Sequence, residues 1–204
     1  MLKLLKFSFI FNLYQHLVGT NGYLKMYADK FINSNIQDNT VVSLLDIGCG
    51  SGNMIPFLNK NINYTGIDYE QDYINYAVKK YPNCKFLCNS VTDNIKLDEK
   101  FDFVVAEAIL TNLDDSKAEC LLNIIKNYAK DNCRIIISDT NYGKNPTKFE
   151  QFLYDNEVGK SMRTKEQLTA LISKHFKINN ITEVDRAYKL IPYKKIIFEC
   201  SPIL

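Results

Sequence analysis

Short apolar runs rich in β-branched and aromatic residues alternate along this chain with stretches whose apolar residues recur every three or four positions. The runs are VVSLLDI (41 to 47), NYTGID (63 to 68), CKFLCN (84 to 89), FDFVVAE (101 to 107) and CRIIISD (133 to 139), and they read as strands. Between them, residues 53 to 60, 70 to 81 and 116 to 130 have helical spacing, with Asp114 as the N-cap of the last. Strands that alternate with helices predict βαβ units, a mostly parallel sheet and helices on both of its faces. The rhythm changes after residue 140: a polar stretch holds Gly143 and Pro146, a helix is predicted near 164 to 174, and FKINNITEV and KKIIFECS follow as two strand-like runs. These two close the sheet as an antiparallel hairpin and bring the strands to seven.

At the other end, apolar residues at 2, 5, 9, 13 and 17 predict an amphipathic helix. Lys3 and Lys6 precede an apolar stretch as in a signal peptide, but the run is short and no small-residue cleavage site follows. A membrane span needs about 20 apolar residues, so no span is expected. The reading is a single domain over 1–204: an N-terminal helical lid (1–36), a core (41–140), a cap insertion (141–163) and a closing helix and strands (164–204).

Composition narrows the function classes. A chain of 204 residues, 46% hydrophobic, can bury one sizeable core. Its 25 Lys and Arg against 23 Asp and Glu give a formal charge of +2, too little for a field that draws nucleic acid. The six cysteines have no C-x-x-C spacing, and His16 and His175 are the only imidazoles. No structural metal site is expected, and the cysteines read as free thiols in a reducing, cytoplasmic setting.

The segment that carries chemistry is LLDIGCGSGN, residues 44 to 53, where the first strand passes into the next predicted helix. Gly48, Gly50 and Gly52 let the backbone turn tightly and approach a ligand that a Cβ would obstruct. Asp46 before them would repel a pyrophosphate, yet can accept from a cationic amino-acid group. The second strand ends at Asp68, 20 residues beyond Gly48, where a carboxylate can take both hydroxyls of a ribose. Asp68 points to a nucleoside without saying which, and it could also serve simply to cap the helix after it.

With the glycine loop and Asp68 together, residues 41 to 140 resemble the class I S-adenosylmethionine-dependent methyltransferases, a Rossmann-like doubly wound α/β fold. The resemblance implies that Asp46, Gly48, Cys49, Gly50 and Asn53 lie beside the methionine part of the cofactor. Asp68 then holds the ribose and Tyr69 walls the adenine. An acidic residue that often follows the third strand is replaced by Ser90, so the resemblance leaves Ser90 and Val91 to face the adenine, with Asp93 three positions late. Glu107 and Ala108 fall at the mouth after the fourth strand. The implied cofactor is S-adenosyl-L-methionine, with S-adenosyl-L-homocysteine as product.

The C-terminal part is similar to small bacterial methyltransferases associated with surface polysaccharides, through Gly159 and Arg163 in DNEVGKSMRT and Pro192 and Tyr193 in IPYKKIIF. Where that group has Thr-His, this chain has Lys194 and Lys195, so no role of that His is carried over. Arg163 offers a bidentate fork for an acceptor phosphate or carboxylate, or it pairs with Asp155 or Glu157. Tyr14, Tyr23 and Tyr193 are further candidates for holding the acceptor.

The resemblance implies methyl transfer to an O or N atom of a small molecule: a sugar, a sugar nucleotide or a phosphorylated precursor of a surface glycan. An RNA or protein methyltransferase is the alternative, disfavoured by Glu107-Ala108-Ile109-Leu110 where base-amine enzymes carry a Pro-Pro signature. A non-catalytic cofactor- or partner-binding module is another. A hydroxyl acceptor would want a general base, with His16, Glu107, Lys194 and Asp139 as the choices. A monomer or homodimer is expected, with no nucleic-acid partner.

Overall fold

The computed structural model describes residues 19–141, 148, 161–188 and 194–203. Among them, seven strands form one sheet in the order β3-β2-β1-β4-β5-β7-β6. β1 is Val42–Ile47, β2 Ile62–Asp68, β3 Lys85–Cys88, β4 Phe101–Glu107, β5 Ala129–Thr140, β6 Phe176–Val184 and β7 Lys195–Pro202. The first five pair in parallel, while β7 runs antiparallel to both β5 and β6. The predicted doubly wound sheet and its closing hairpin are therefore present. Strand order reverses between β1 and β4, and in such sheets ligands bind beyond the carboxyl ends of the strands at that reversal.

Among the described residues the α-helices that can be bounded are α1 (Thr20–Tyr27), α2 (Gln71–Lys80), α3 (Asp115–Tyr128) and α4 (Lys165–Ile172). Strand side chains alternate between two buried layers. Leu44, Phe103, Val105, Ile136 and Ile197 join Tyr23, Tyr27, Phe31 and Ile74 on one face. On the other, Leu45, Val104, Ile135, Ile137 and Phe198 meet Leu121, Leu122 and Ile125 of α3 and Leu168 and Ile172 of α4. Asp114 caps α3 through Lys117 N–H at 2.9 Å, and Thr164 with Gln167 forms a reciprocal capping box on α4. Among the described residues no helix is long and apolar enough to cross a membrane.

Two elements differ from the sequence expectation. No α-helix covers 53 to 60: only a 3-10 turn, Ile55–Phe57, forms there. Pro56 has no N–H, and its ring clashes with the carbonyl four residues back. The bonds are accordingly i to i−3, Ile55 N–H to Gly52 O at 3.2 Å and Leu58 N–H to Ile55 O at 3.1 Å. The glycine loop is thus not followed by a helix N-terminus. Further on, the helix expected to reach Lys130 stops at Tyr128 and β5 begins at once, with a register shift opposite Phe101/Phe103. Tyr128 is retained by two bonds, donating to Ile95 O at 2.6 Å and accepting from Leu97 N–H at 3.2 Å. The apolar positions 2 to 17, most of the cap 141–163, and Tyr14, His16, Gly159, Pro192 and Tyr193 lie outside the described residues.

Candidate active site

The glycine loop follows β1 with Gly48, Gly50 and Gly52 at φ +81°, +53° and +77°, a left-handed backbone that costs other residues about 1–2 kcal/mol each. Gly48 and Cys49 N–H both donate to Ile67 O, at 2.7 and 3.0 Å, tying the turn to the end of β2. A Cβ on Gly48 would stand 2.9 Å from Ile109 Cδ1, whereas one on Gly50 would meet nothing within 4 Å. Gly50 therefore faces open space, and its N–H donates to Asp68 Oδ2 at 2.8 Å. Asp68 Oδ1 accepts from Glu70 N–H at 2.9 Å. Each oxygen has one internal partner and keeps a lone pair for a ligand hydroxyl. Burial raises the Asp68 pKa against the pull of these backbone donors, so further donors from a ligand would stabilise its charge.

Asp46 lies under the loop, 4% exposed, and its Oδ2 accepts from Tyr64 OH at 2.7 Å. Burial pushes its pKa to about 7, with Glu107 and Asp68 adding to the rise and the tyrosine opposing it. Cys49 is turned into the core, and its Sγ occupies the space a Cβ on Gly66 would need, at 2.7 Å. With its side chain inward, Cys49 offers its backbone to the loop's open side. Asn53 takes part in the loop through Ser51 Oγ at 3.2 Å. Tyr69 is 73% exposed beside Asp68.

After β3, Ser90 N–H donates to Asp93 Oδ2 at 2.6 Å and Ser90 Oγ pairs with Thr92 Oγ1 at 3.0 Å, while Val91 is buried. The turn therefore brings the carboxylate that stands late in sequence back onto the position of Ser90.

A second polar group sits at the ends of β4 and β5. Lys195, the first residue of β7 and 2% exposed, places Nζ 3.1 Å from Glu107 Oε1 and 5.9 Å from the ring centres of both Tyr23 and Tyr188. Burial works against its charge, but Glu107, Tyr188, Tyr23 and Asp139 outweigh burial and hold its pKa well above the usual lysine value. Asp139 accepts from Thr111 N–H at 2.7 Å and Thr140 N–H at 2.6 Å. Burial raises its pKa to about 6, with Lys195 opposing. Ala108 has φ +54° and donates to Ser138 O at 2.8 Å. Sequence reasoning passed over Lys195, because nothing in a Lys-Lys pair says which member is buried. Lys194 meets Asn141 N–H through its backbone oxygen, and the lysine that enters this cluster is its neighbour.

Two further expectations are corrected. Tyr23 is in the core, 4% exposed, with its hydroxyl 2.7 Å from Ser138 Oγ, so it packs beneath the site instead of reaching freely for an acceptor. Arg163 does not offer a fork. Its five N–H groups are all used internally: Nε on Asp115, Nη1 on Leu110 O and Ser161 O, Nη2 on Leu113 O and Asp115. It clamps the 3-10 turn Leu110–Asn112 to the start of α4 and has no donor left for a phosphate. Among the described residues no cluster of His, Cys, Asp and Glu could hold a metal, and all six cysteines are free.

A family profile described as "Methyltransferase domain" matches residues 38–200. No curated protein matches. Among solved structures, an S-adenosylmethionine-dependent methyltransferase from Clostridium acetobutylicum superposes with a TM-score of 0.70 at 16% identity over 95% of this chain and 99% of that one. The plantazolicin methyltransferase BpumL, solved with a pentazolic desmethylPZN analogue and SAH, gives 0.68 at 17% over 95% and 90%. The mitomycin 7-O-methyltransferase MmcR gives 0.69 at 16%, over 90% of this chain, which spans only 54% of that longer protein. With the glycine loop, Asp68 and the strand reversal already in place, the profile match over most of the chain means that this protein belongs to the methyltransferase-domain family, on the fold of the S-adenosylmethionine-dependent class I enzymes.

Proposed function

We propose that this enzyme transfers the methyl group of S-adenosylmethionine to an O or N atom of a small molecule. The observation that carries this reading is the Asp68 carboxylate, fixed by Gly50 and Glu70 N–H beside a loop whose Gly50 opens to free space. That geometry fits a ribose whose two hydroxyls donate to the remaining lone pairs of Asp68. In this reading Asp93 and the Val91 backbone meet the adenine edge, with Ser90 bonded to Asp93 through its own N–H, and the exposed Tyr69 covers its face. Gly48, Gly50 and the Cys49 backbone border the methionine part, and Asp46 stands behind them for its ammonium group. The bound cofactor supplies an electrophilic sulfonium methyl; the residues of this chain hold it, align the acceptor and exclude water.

The narrower reading, a sugar, sugar nucleotide or phosphorylated glycan precursor, rests on the C-terminal resemblance alone, since Arg163 has no donor to give an anion. The test is calorimetry with S-adenosylmethionine and S-adenosylhomocysteine on the wild type and on Asp68→Ala. Removing charge-assisted bonds to two hydroxyls should weaken binding by about a hundredfold or more. Absence of binding to the folded wild type would overturn the proposal. Binding by the wild type would justify an acceptor screen that sets sugars and sugar nucleotides against neutral alcohols and amines.

A further inference from the structure

We infer that Glu107, held by the buried ammonium of Lys195, forms the acceptor subsite and takes a neutral amine as the nucleophile. The inference rests on the cofactor reading above and names the class of substrate. Position comes first: β1 and β4 are parallel with Asp46 opposite Val105, so two residues further along Glu107 is level with Gly48. The contact that a Cβ on Gly48 would make with Ile109 reports the same proximity of the two loops. Glu107 thus ends its strand beside the methionine side of the glycine loop. The next residue, Ala108, is held at φ +54°, an unfavourable backbone for a residue with a Cβ, and such strain persists where the surroundings over-determine it.

The charges around the carboxylate then select the acceptor. Facing Glu107 are Lys195 from β7, Asp139 from β5, Tyr23 from α1 and Tyr188 beyond β6, with Asp46 of β1 further behind. Two carboxylates share one ammonium in a region where Lys195 and Asp139 are both 2% exposed. The surplus is negative, and Arg163 is fully engaged elsewhere. An anionic acceptor would be repelled, whereas the positive charge that a neutral amine acquires as it is methylated is stabilised. Glu107 Oε1 is inaccessible and lies 3.1 Å from Lys195 Nζ as an ion pair without hydrogen-bond alignment, so the 19% exposure of the side chain falls on the rest of the group. That outer part can accept an N–H bond.

In the transfer, the nitrogen lone pair forms the new C–N bond as the C–S bond breaks and its electron pair passes to sulfur. The nitrogen becomes cationic next to the carboxylate, and its proton passes to Glu107 and on to solvent. Lys195 acts as a positioning residue: from 3.1 Å it fixes the orientation of the Glu107 carboxylate.

The test needs no acceptor. Sinefungin carries an ammonium group where the cofactor carries its sulfonium methyl, so it reports the carboxylate directly. By calorimetry, the wild type should bind sinefungin about tenfold more tightly than S-adenosylhomocysteine. In Glu107→Gln that ratio should fall to near one, with S-adenosylhomocysteine binding retained. Because Glu107→Gln leaves Lys195 buried without its partner, the double variant Glu107→Gln with Lys195→Met, which removes both charges, is measured alongside it and should show the same loss of preference. A ratio that survives in the variants, with both ligands bound, overturns the amine subsite while leaving the cofactor reading intact. Failure of both ligands to bind the folded wild type overturns both.

Discussion

Asp46→Asn should make the protein more stable, and increasingly so as the pH rises. Asp46 is a carboxyl 4% exposed whose pKa is carried by burial from the ordinary 3.8 to about 7. Between those values the folded protein keeps a proton that the unfolded chain has released, so stability falls as pH rises through the window and is lowest above pH 7. At about 1.4 kcal/mol per pH unit, the full cost of ionising Asp46 in the folded state is about 4 kcal/mol. An asparagine has the same shape, can still accept from Tyr64 OH, and does not titrate. The assay is urea denaturation of both proteins at pH 5 and pH 8. Contributions from other groups cancel in the difference, and the advantage of the variant should widen by about 3 kcal/mol between the two pH values. In thermal melts the same change should amount to about 10 °C. A gap that does not change with pH would refute the reasoning, because it would mean that Asp46 is ionised at no cost in the folded protein. The variant should also bind S-adenosylmethionine less tightly, as expected where a costly buried charge is retained for a ligand.

Arg163→Met should lower stability by about 3 kcal/mol in a urea melt, since it leaves the carbonyls of Leu110 and Leu113 without their donor. The pair with Asp115 contributes little, because that carboxylate is 92% exposed. Arg163→Lys should rescue only part of the loss, as one ammonium cannot reach all these acceptors; full rescue would contradict the clamp. Gly48→Ala should cost about 1–2 kcal/mol from its φ of +81° alone. It should also weaken cofactor binding, because Ile109, whose Cβ would lie 3.3 Å from the new methyl, must be displaced; an unchanged melt and unchanged calorimetry would contradict this.

Much of the fold and of the cofactor half of the site is legible in the chain alone, for physical reasons that act over short distances. Alternation at VSLLDI and FDFVVAE dictates strands, because successive side chains leave opposite faces and both faces here must be buried. Gly48, Gly50 and Gly52 announce a backbone that only glycine adopts freely, and Asp68 ends its strand at a fixed distance beyond them. The missing helix at 53 to 60 was open to the same local reading, since Pro56 removes the bond that an α-helix needs there; apolar spacing alone conceals it. What lies beyond sequence depends on partners far apart in the chain. A guanidinium is a ligand fork or a structural clamp according to what surrounds it, and Arg163 meets carbonyls about 50 residues away. Lys194 and Lys195 are indistinguishable as neighbours in a string. Pairing of Thr140 with Lys195 across β5 and β7 is what sets one ammonium beside Glu107, where burial makes its charge matter. The sequence by itself determined the sheet, the glycine turn and the carboxylate that ends the second strand, because local periodicity and backbone sterics decide those. Only the tertiary structure decided which charges share a buried space, because Coulomb interactions depend on distance and exposure, and neither is written in residue order.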